Sequence, residues 1–317
     1  MARRRPLGKK LFKALLPILL ILVVAALIAL ASIVYGVTRP PRQSYLVTPE
    51  SFAQISGSAL KVTEESWQNL DGTMARGWLL RGAEGAPAVI LLHRYGGDRS
   101  WLFNLGIKLN ETTNFTILWP DLRGHGLDPP VKATSFGGSE AQDLLAAANF
   151  LHTVKGYSQS NLVGEAIGAY GVELGAYAAL RASSQDPSIK ALVLDSVPRS
   201  PDELLNSSVV AHVGINNKLL LQMTRLAARA YFLGKYESAA SCELAKTLKT
   251  QRVLMLAGVD NPSLREATTS LIACFPSSNL ESKTDLQVSG FTLSSATGEQ
   301  GEGYDRPVID FFNRNLQ

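Results

Sequence analysis

The chain has 317 residues, 46% of them hydrophobic and 18% charged, with a formal net charge of +4. That length is enough for one large α/β domain or two small ones. Six of the 31 basic residues stand before Ala14, which leaves the remainder with fewer basic than its 27 acidic residues. The basic balance is therefore no mark of a nucleic-acid binder, which needs a basic patch on its folded domain.

In chain order, residues 1–13 carry Arg3, Arg4, Arg5, Lys9, Lys10 and Lys13 and no acid. They read as a basic cytoplasmic tail. Residues 14–38 follow without a charge, "ALLPILLILVVAALIALASIVYGVT". A membrane-spanning helix needs about 20 apolar residues, so this stretch is expected to anchor the chain in a lipid bilayer. By the positive-inside rule the N-terminus stays in the cytoplasm and the folded domain is exported. A signal peptide cleaved after residues 29–31, Ala-Leu-Ala, is the competing reading; its apolar region would be shorter than this one.

Residues 39–58, rich in Pro and polar side chains, read as a linker, and 59–317 as the folded domain. "ALKVTEESW" and "TMARGWLL" alternate around Asn69-Leu70-Asp71-Gly72, the pattern of a hairpin. Short continuous apolar runs then recur at 86–93, 115–120, 160–164, 189–195 and 251–258, as expected for strands buried on both faces of a parallel sheet. Between them lie helical patterns. "SEAQDLLAAANFLHTV" has Ser139 as its expected N-cap and Gln142 at the capping-box position. "GAYGVELGAYAALRA" suits a helix packed closely on a sheet. The last helix is expected to start near Pro307. Residues from about 198 to 250 are too many for a plain connection and read as a helical lid.

Cys242 and Cys274 are too few for a disulfide scaffold and have no metal-ligand spacing. Pairing outside the cytoplasm and burial as free thiols remain equal alternatives. Asn110, Asn114 and Asn206 match the glycosylation pattern, which is common by chance. No metal constellation and no phosphate-binding loop is present, and no cofactor is expected.

Four segments carry chemistry, in order: "LLHRYGGDRS", "WPDLRGHGLD", "LVGEAIGAYG" and "LMLAGVDNP". Together they resemble the α/β-hydrolase family, in particular its small lipases and serine aminopeptidases, over roughly residues 60–317. The resemblance implies a mostly parallel eight-stranded sheet with helices on both faces and a lid over one end. It also implies a serine on a Gly-x-Ser-x-Gly elbow, an acid, and then a histidine. The serine attacks a carbonyl, the histidine takes its proton, and the acid holds the histidine's tautomer.

Laid on that pattern, Gly164-Glu165-Ala166-Ile167-Gly168 puts alanine at the nucleophile position. Asp260 most resembles the acid. All four histidines (His93, His125, His152 and His212) precede it, and Ser289-Gly290-Phe291 stands where the histidine is expected. Arg94 replaces the glycine that lets the backbone approach an oxyanion, leaving the N–H groups of Tyr95 and Ile167 as candidate donors. Glu165 is a carboxylate beside the elbow, but that position points away from the reacting atom. His93 and His125 read as structural residues of their turns. The expectation is a hydrolase-like protein that has lost its activity and binds a ligand or a protein partner. Arg94, Tyr95, Glu165, Ala166 and Ile167 would line the site, and Arg94 would favour a small acyl or carboxylate ligand. The alternative is an ester or peptide hydrolase with a rearranged active site.

Overall fold

The computed structural model describes residues 7–56, 61–293 and 298–317. The first basic cluster, Arg3 to Arg5, and the expected junction of linker and domain at 57–60 lie outside the described residues, as do residues 294–297.

Helix α1, Leu7–Val37, starts inside the expected tail. From Ala14 to Val37 it is long and apolar enough to cross a membrane. From Ala14 on, its side chains are mostly exposed until the last two turns, where Val34 and Val37 become buried. The segment read as a linker is fixed to the domain. It forms helix α2, Pro49–Ser56, and Tyr45, Val47 and Phe52 pack on the core. The Tyr45 hydroxyl donates to Asp121 at 2.8 Å, and the Leu46 N–H to Ser100 at 2.9 Å. Its Pro-rich composition hid these anchoring aromatic and aliphatic side chains.

Strands β1, Val62–Gln68, and β2, Met74–Leu80, form the expected antiparallel hairpin, with Val62 opposite Leu80. Next come β3 (Ala86–Leu92), α3 (Phe103–Thr113), β4 (Thr116–Pro120) and α4 (Gly138–Thr153). They are followed by β5 (Val163–Val172), α5 (Leu174–Gln185) and β6 (Ile189–Asp195). The chain ends with β7 (Arg252–Gly258), α9 (Pro262–Ile272), β8 (Leu280–Leu286) and α10 (Gly298–Leu316). Between β6 and β7 lie α6 (Pro201–Val213), α7 (Lys218–Tyr231) and α8 (Ser241–Ala245). The eight strands are ordered β1-β2-β4-β3-β5-β6-β7-β8, and β3 to β8 run parallel.

The two-residue period of a strand sends successive side chains to opposite faces. Ala88, Ile90 and Leu92 of β3, with Leu192 and Leu194 of β6, join α4, α5 and the end of α1 in one core. Val89, Leu91, Ala191 and Val193 join α3 and α10 in the other. Apolar residues on both faces of these strands are what made them legible as continuous runs.

Two helix starts differ from expectation. α4 is capped at Gly137, whose N–H donates to Glu140 at 2.9 Å, and not at Ser139. The buried Glu140 carboxylate also takes the Thr134 hydroxyl and the Ser135 N–H. α10 begins nine positions before Pro307, which sits inside the helix. Cys242 and Cys274 are joined in a disulfide that ties α8 to the turn after α9.

Candidate functional site

The largest correction concerns the elbow. Ala166 lies within β5, and the strand continues six residues beyond it. Glu165 is exposed near the strand's N-terminal end. Ala166 packs partly on the α3–α10 core, while Ile167 is fully buried in the opposite one. None of the three reaches the C-terminal edge of the sheet, where Gly171 pairs with Leu92 and Val172 with Asp195. At about 3.3 Å per strand residue, Ala166 is roughly 20 Å short of it. The Ile167 N–H is therefore no oxyanion donor.

The turn from β5 into α5 is Gly171-Val172-Glu173-Leu174-Gly175. Glu173 stands at its apex with φ 50° and ψ −102°, a strained conformation for a residue with a side chain. Both flanking glycines are sterically required. A Cβ on Gly171 would lie 2.4 Å from the Gly175 carbonyl, and one on Gly175 would lie 2.4 Å from the Leu92 oxygen. The Glu173 N–H donates to Asp195 O at 3.0 Å, and its carbonyl accepts from Tyr177 at 3.0 Å, locking the turn between β6 and α5. This is a Gly-x-Glu-x-Gly elbow.

The turn after β3 faces it. The Tyr95 N–H donates to the Glu173 carboxylate at 3.0 Å. Burial pushes the Glu173 carboxyl up to about 7, against the opposing pull of the Arg94 charge and the Tyr95 N–H. Arg94 is half-buried between two rings, its guanidinium carbon 4.2 Å from the Trp101 centroid and 4.3 Å from that of Phe291. Its Nη1 donates to the Tyr95 carbonyl at 2.9 Å. Arg94 thus faces Glu173 and not Glu165. The Tyr95 hydroxyl donates to the Val37 carbonyl at 2.6 Å, joining this turn to the end of α1.

The histidines near this turn are committed to backbone. His93 Nδ1–H donates to Arg94 O at 2.8 Å, and its Nε2 accepts the Leu122 N–H at 3.0 Å. His125 Nδ1–H donates to Arg123 O at 2.9 Å, and its Nε2 accepts the Gly96 N–H at 3.0 Å. Burial lowers their pKa values to about 4 and about 3. A base needs a free lone pair, and neither ring has one. His212, in α6, is exposed and lies against Gly36 of α1. The rest of "PDLRGHG" is also used for packing. Asp121 accepts the Arg99 N–H and the Tyr45 hydroxyl, and Arg123 pairs with Asp143 and Asp71.

Asp260 follows β7, as expected for the acid, and is exposed. Its carboxylate accepts the Ser289 hydroxyl at 2.9 Å and the Thr292 hydroxyl at 2.6 Å. The fully buried Asp195, at the end of β6, holds the same loop. It accepts the Gly290 N–H at 2.6 Å, the Ser196 hydroxyl at 2.7 Å and the Tyr304 hydroxyl. Burial raises its carboxyl to about 6. Sequence reasoning missed Glu173 and Asp195. A second glycine pair, seven residues after the first, was the available signal for Glu173.

No protein-family model and no curated protein matches the sequence. Solved structures do match the fold. An esterase of Pyrococcus furiosus superposes with a TM-score of 0.63 at 20% identity, over 88% of this chain and 98% of that one. An α/β-hydrolase from Penicillium gives 0.57 at 16% identity, over 81% and 99%. The acylaminoacyl peptidase of Pyrococcus horikoshii gives 0.56 at 15% identity, over 84% and 44%. The chain has the α/β-hydrolase fold.

Proposed function

We propose that this is a membrane-anchored α/β-hydrolase-fold protein that binds a ligand or a protein partner and carries out no serine-hydrolase chemistry. One observation carries the reading. The elbow bears Glu173, and its own carboxylate occupies the Tyr95 N–H that would otherwise stabilise a reacting oxyanion. Two others support it. Asp260 is bonded to serine and threonine hydroxyls, which cannot serve as a base near neutral pH. Both buried histidines have their ring nitrogens occupied. The cytoplasmic N-terminus and exported domain follow from the basic flank, and the disulfide suits an oxidising compartment. A small acyl or carboxylate ligand near Arg94 would have to displace Glu173 from the Tyr95 amide.

The second reading, an ester or peptide hydrolase with a rearranged site, is favoured by the same Glu173, because a carboxylate on an elbow is itself a possible nucleophile. The deciding experiment is turnover of short and medium acyl esters by the full chain in vesicles, beside Glu173→Gln. No turnover by either supports the binding role. Native turnover that survives repurification and disappears in Glu173→Gln overturns it and makes Glu173 the nucleophile.

A further inference from the structure

The lid helix α7 has two apolar faces, and the domain uses only one. Thr224 and Ala228 are buried, and Leu221 packs on the core. Leu219, Met223 and Leu226 recur at i, i+4 and i+7 and so share a different face. They are 68%, 40% and 54% exposed. Ile215 before the helix and Leu233 just past it are also exposed, at 52% and 89%. An exposed apolar stripe on one helix face marks an interaction site.

The position of α1 identifies what covers it. Residues 14–33 rise about 30 Å as a helix, the thickness of a bilayer's hydrocarbon core. The next turn, with Val34 and Val37, is buried in the domain, and α1 packs there against both α6 and α7. Arg39 reaches the Tyr231 hydroxyl at the end of α7 at 3.2 Å. Helices that touch α1 where it leaves the hydrocarbon lie at the membrane boundary. The charge of α7 fits that place, with Lys218, Arg225 and Arg229 and no acid in the helix. Arg225 and Arg229 also pair with Asp202 of α6. An apolar stripe beside basic side chains is the pattern of a helix lying in the headgroup region.

We propose that α7 is an interfacial helix. Leu219, Met223 and Leu226 insert into the acyl boundary of the bilayer that α1 crosses, holding the α6–α7 face of the domain down on the lipid. This inference rests on the membrane-anchor reading of α1.

The test uses the full chain in vesicles of phosphatidylcholine with a minor share of phosphatidylglycerol. Both native cysteines are in a disulfide, so a single introduced thiol takes an environment-sensitive fluorophore selectively. Ile28→Cys reports the anchor, Leu226→Cys the stripe, and Tyr157→Cys an exposed loop before β5. The expected result is blue-shifted emission at Leu226→Cys and Ile28→Cys, most of it lost to a lipid-borne quencher. Tyr157→Cys is quenched by aqueous iodide alone. Iodide quenching at Leu226→Cys with a lipid-shielded Ile28→Cys overturns the proposal while leaving the anchor standing. Iodide quenching at Ile28→Cys overturns both.

Discussion

The backbone N–H of Tyr95 and the carboxylate of Glu173 meet at 3.0 Å, bridging the ends of β3 and β5. A site of this geometry carries its own carboxyl group where a hydrolase of the same fold keeps an empty cradle for a charge that forms during reaction. Its own side chain satisfies it, at a cost in desolvation that leaves a measurable trace.

That trace is a pH dependence. The Glu173 carboxyl rises from 4.5 to about 7 in the folded chain. Between those values the fold holds a proton that the unfolded chain has released, so the contribution is fully present below 4.5 and is lost as pH rises through about 7. Glu173→Gln keeps a carbonyl for the Tyr95 N–H and cannot ionise. Its unfolding free energy should match the native chain at the acidic end and exceed it by roughly 1–3 kcal/mol at the basic end. Denaturant titrations across the window measure this. An identical pH slope in the two proteins rules the assignment out.

Rebuilding the reactive pair tests the elbow itself. Glu173→Ser combined with Ser289→His places a hydroxyl on the strained turn and an imidazole beside Asp260. Labelling by a serine-reactive phosphonate should exceed that of the native chain by on the order of 10²-fold. The single Glu173→Ser variant should stay near background, because serine alone lacks its base.

Gly175→Ala should be among the most damaging single changes. Its methyl would sit 2.4 Å from the Leu92 carbonyl, in a place where β3 and the α5 start are both held by backbone bonds. A loss of about 2–4 kcal/mol is expected from this overpacking. Gly164→Ala should also destabilise, because its methyl would lie 2.5 Å from the Gly85 carbonyl at the other end of β5.

The disulfide should contribute about 2–4 kcal/mol by limiting the unfolded chain. Cys242→Ser with Cys274→Ser removes it without leaving a free thiol. The unfolding free energy should fall by that amount, and reductant should bring the native chain to the same value while leaving the variant unchanged.

Tyr95→Phe removes the hydrogen bond to the Val37 carbonyl and should cost about 1 kcal/mol. Amide exchange at residues 34–38 should quicken while the β5–α5 turn, held by Asp195 and Tyr177, keeps its protection.

Much of this fold is legible in the sequence, because strands buried on both faces leave unmistakable runs of Val, Ile and Leu. The hairpin around Asn69 and Gly72 is a local pattern, and the structure places it as read. The elbow is not local. Leu162 to Gly175 is one mostly apolar stretch containing glycine pairs at 164 and 168 and at 171 and 175. Which pair turns the chain depends on where β3 and β6 end, at Leu92 and Asp195. A search for a small residue in the serine's place favours Ala166 and passes over Glu173. The same limit applies to residues 39–56. Tyr45 and Phe52 bind partners far along the chain, and a Pro-rich composition does not reveal that.

If α1 crosses a bilayer as proposed, its seating alters what it would mean to release this protein. Val34 and Val37 are each 1% exposed, and burying two such side chains is worth about 3–6 kcal/mol. Thr38 also accepts the Thr134 N–H at 2.9 Å. A protease cutting near Pro40 would not shed an intact ectodomain. The soluble fragment would carry a greasy slot between α6 and α7, with Tyr95 deprived of its carbonyl partner. On that reading tether and keystone are the same piece of helix, so detachment would also undo the packing of α6 and α7.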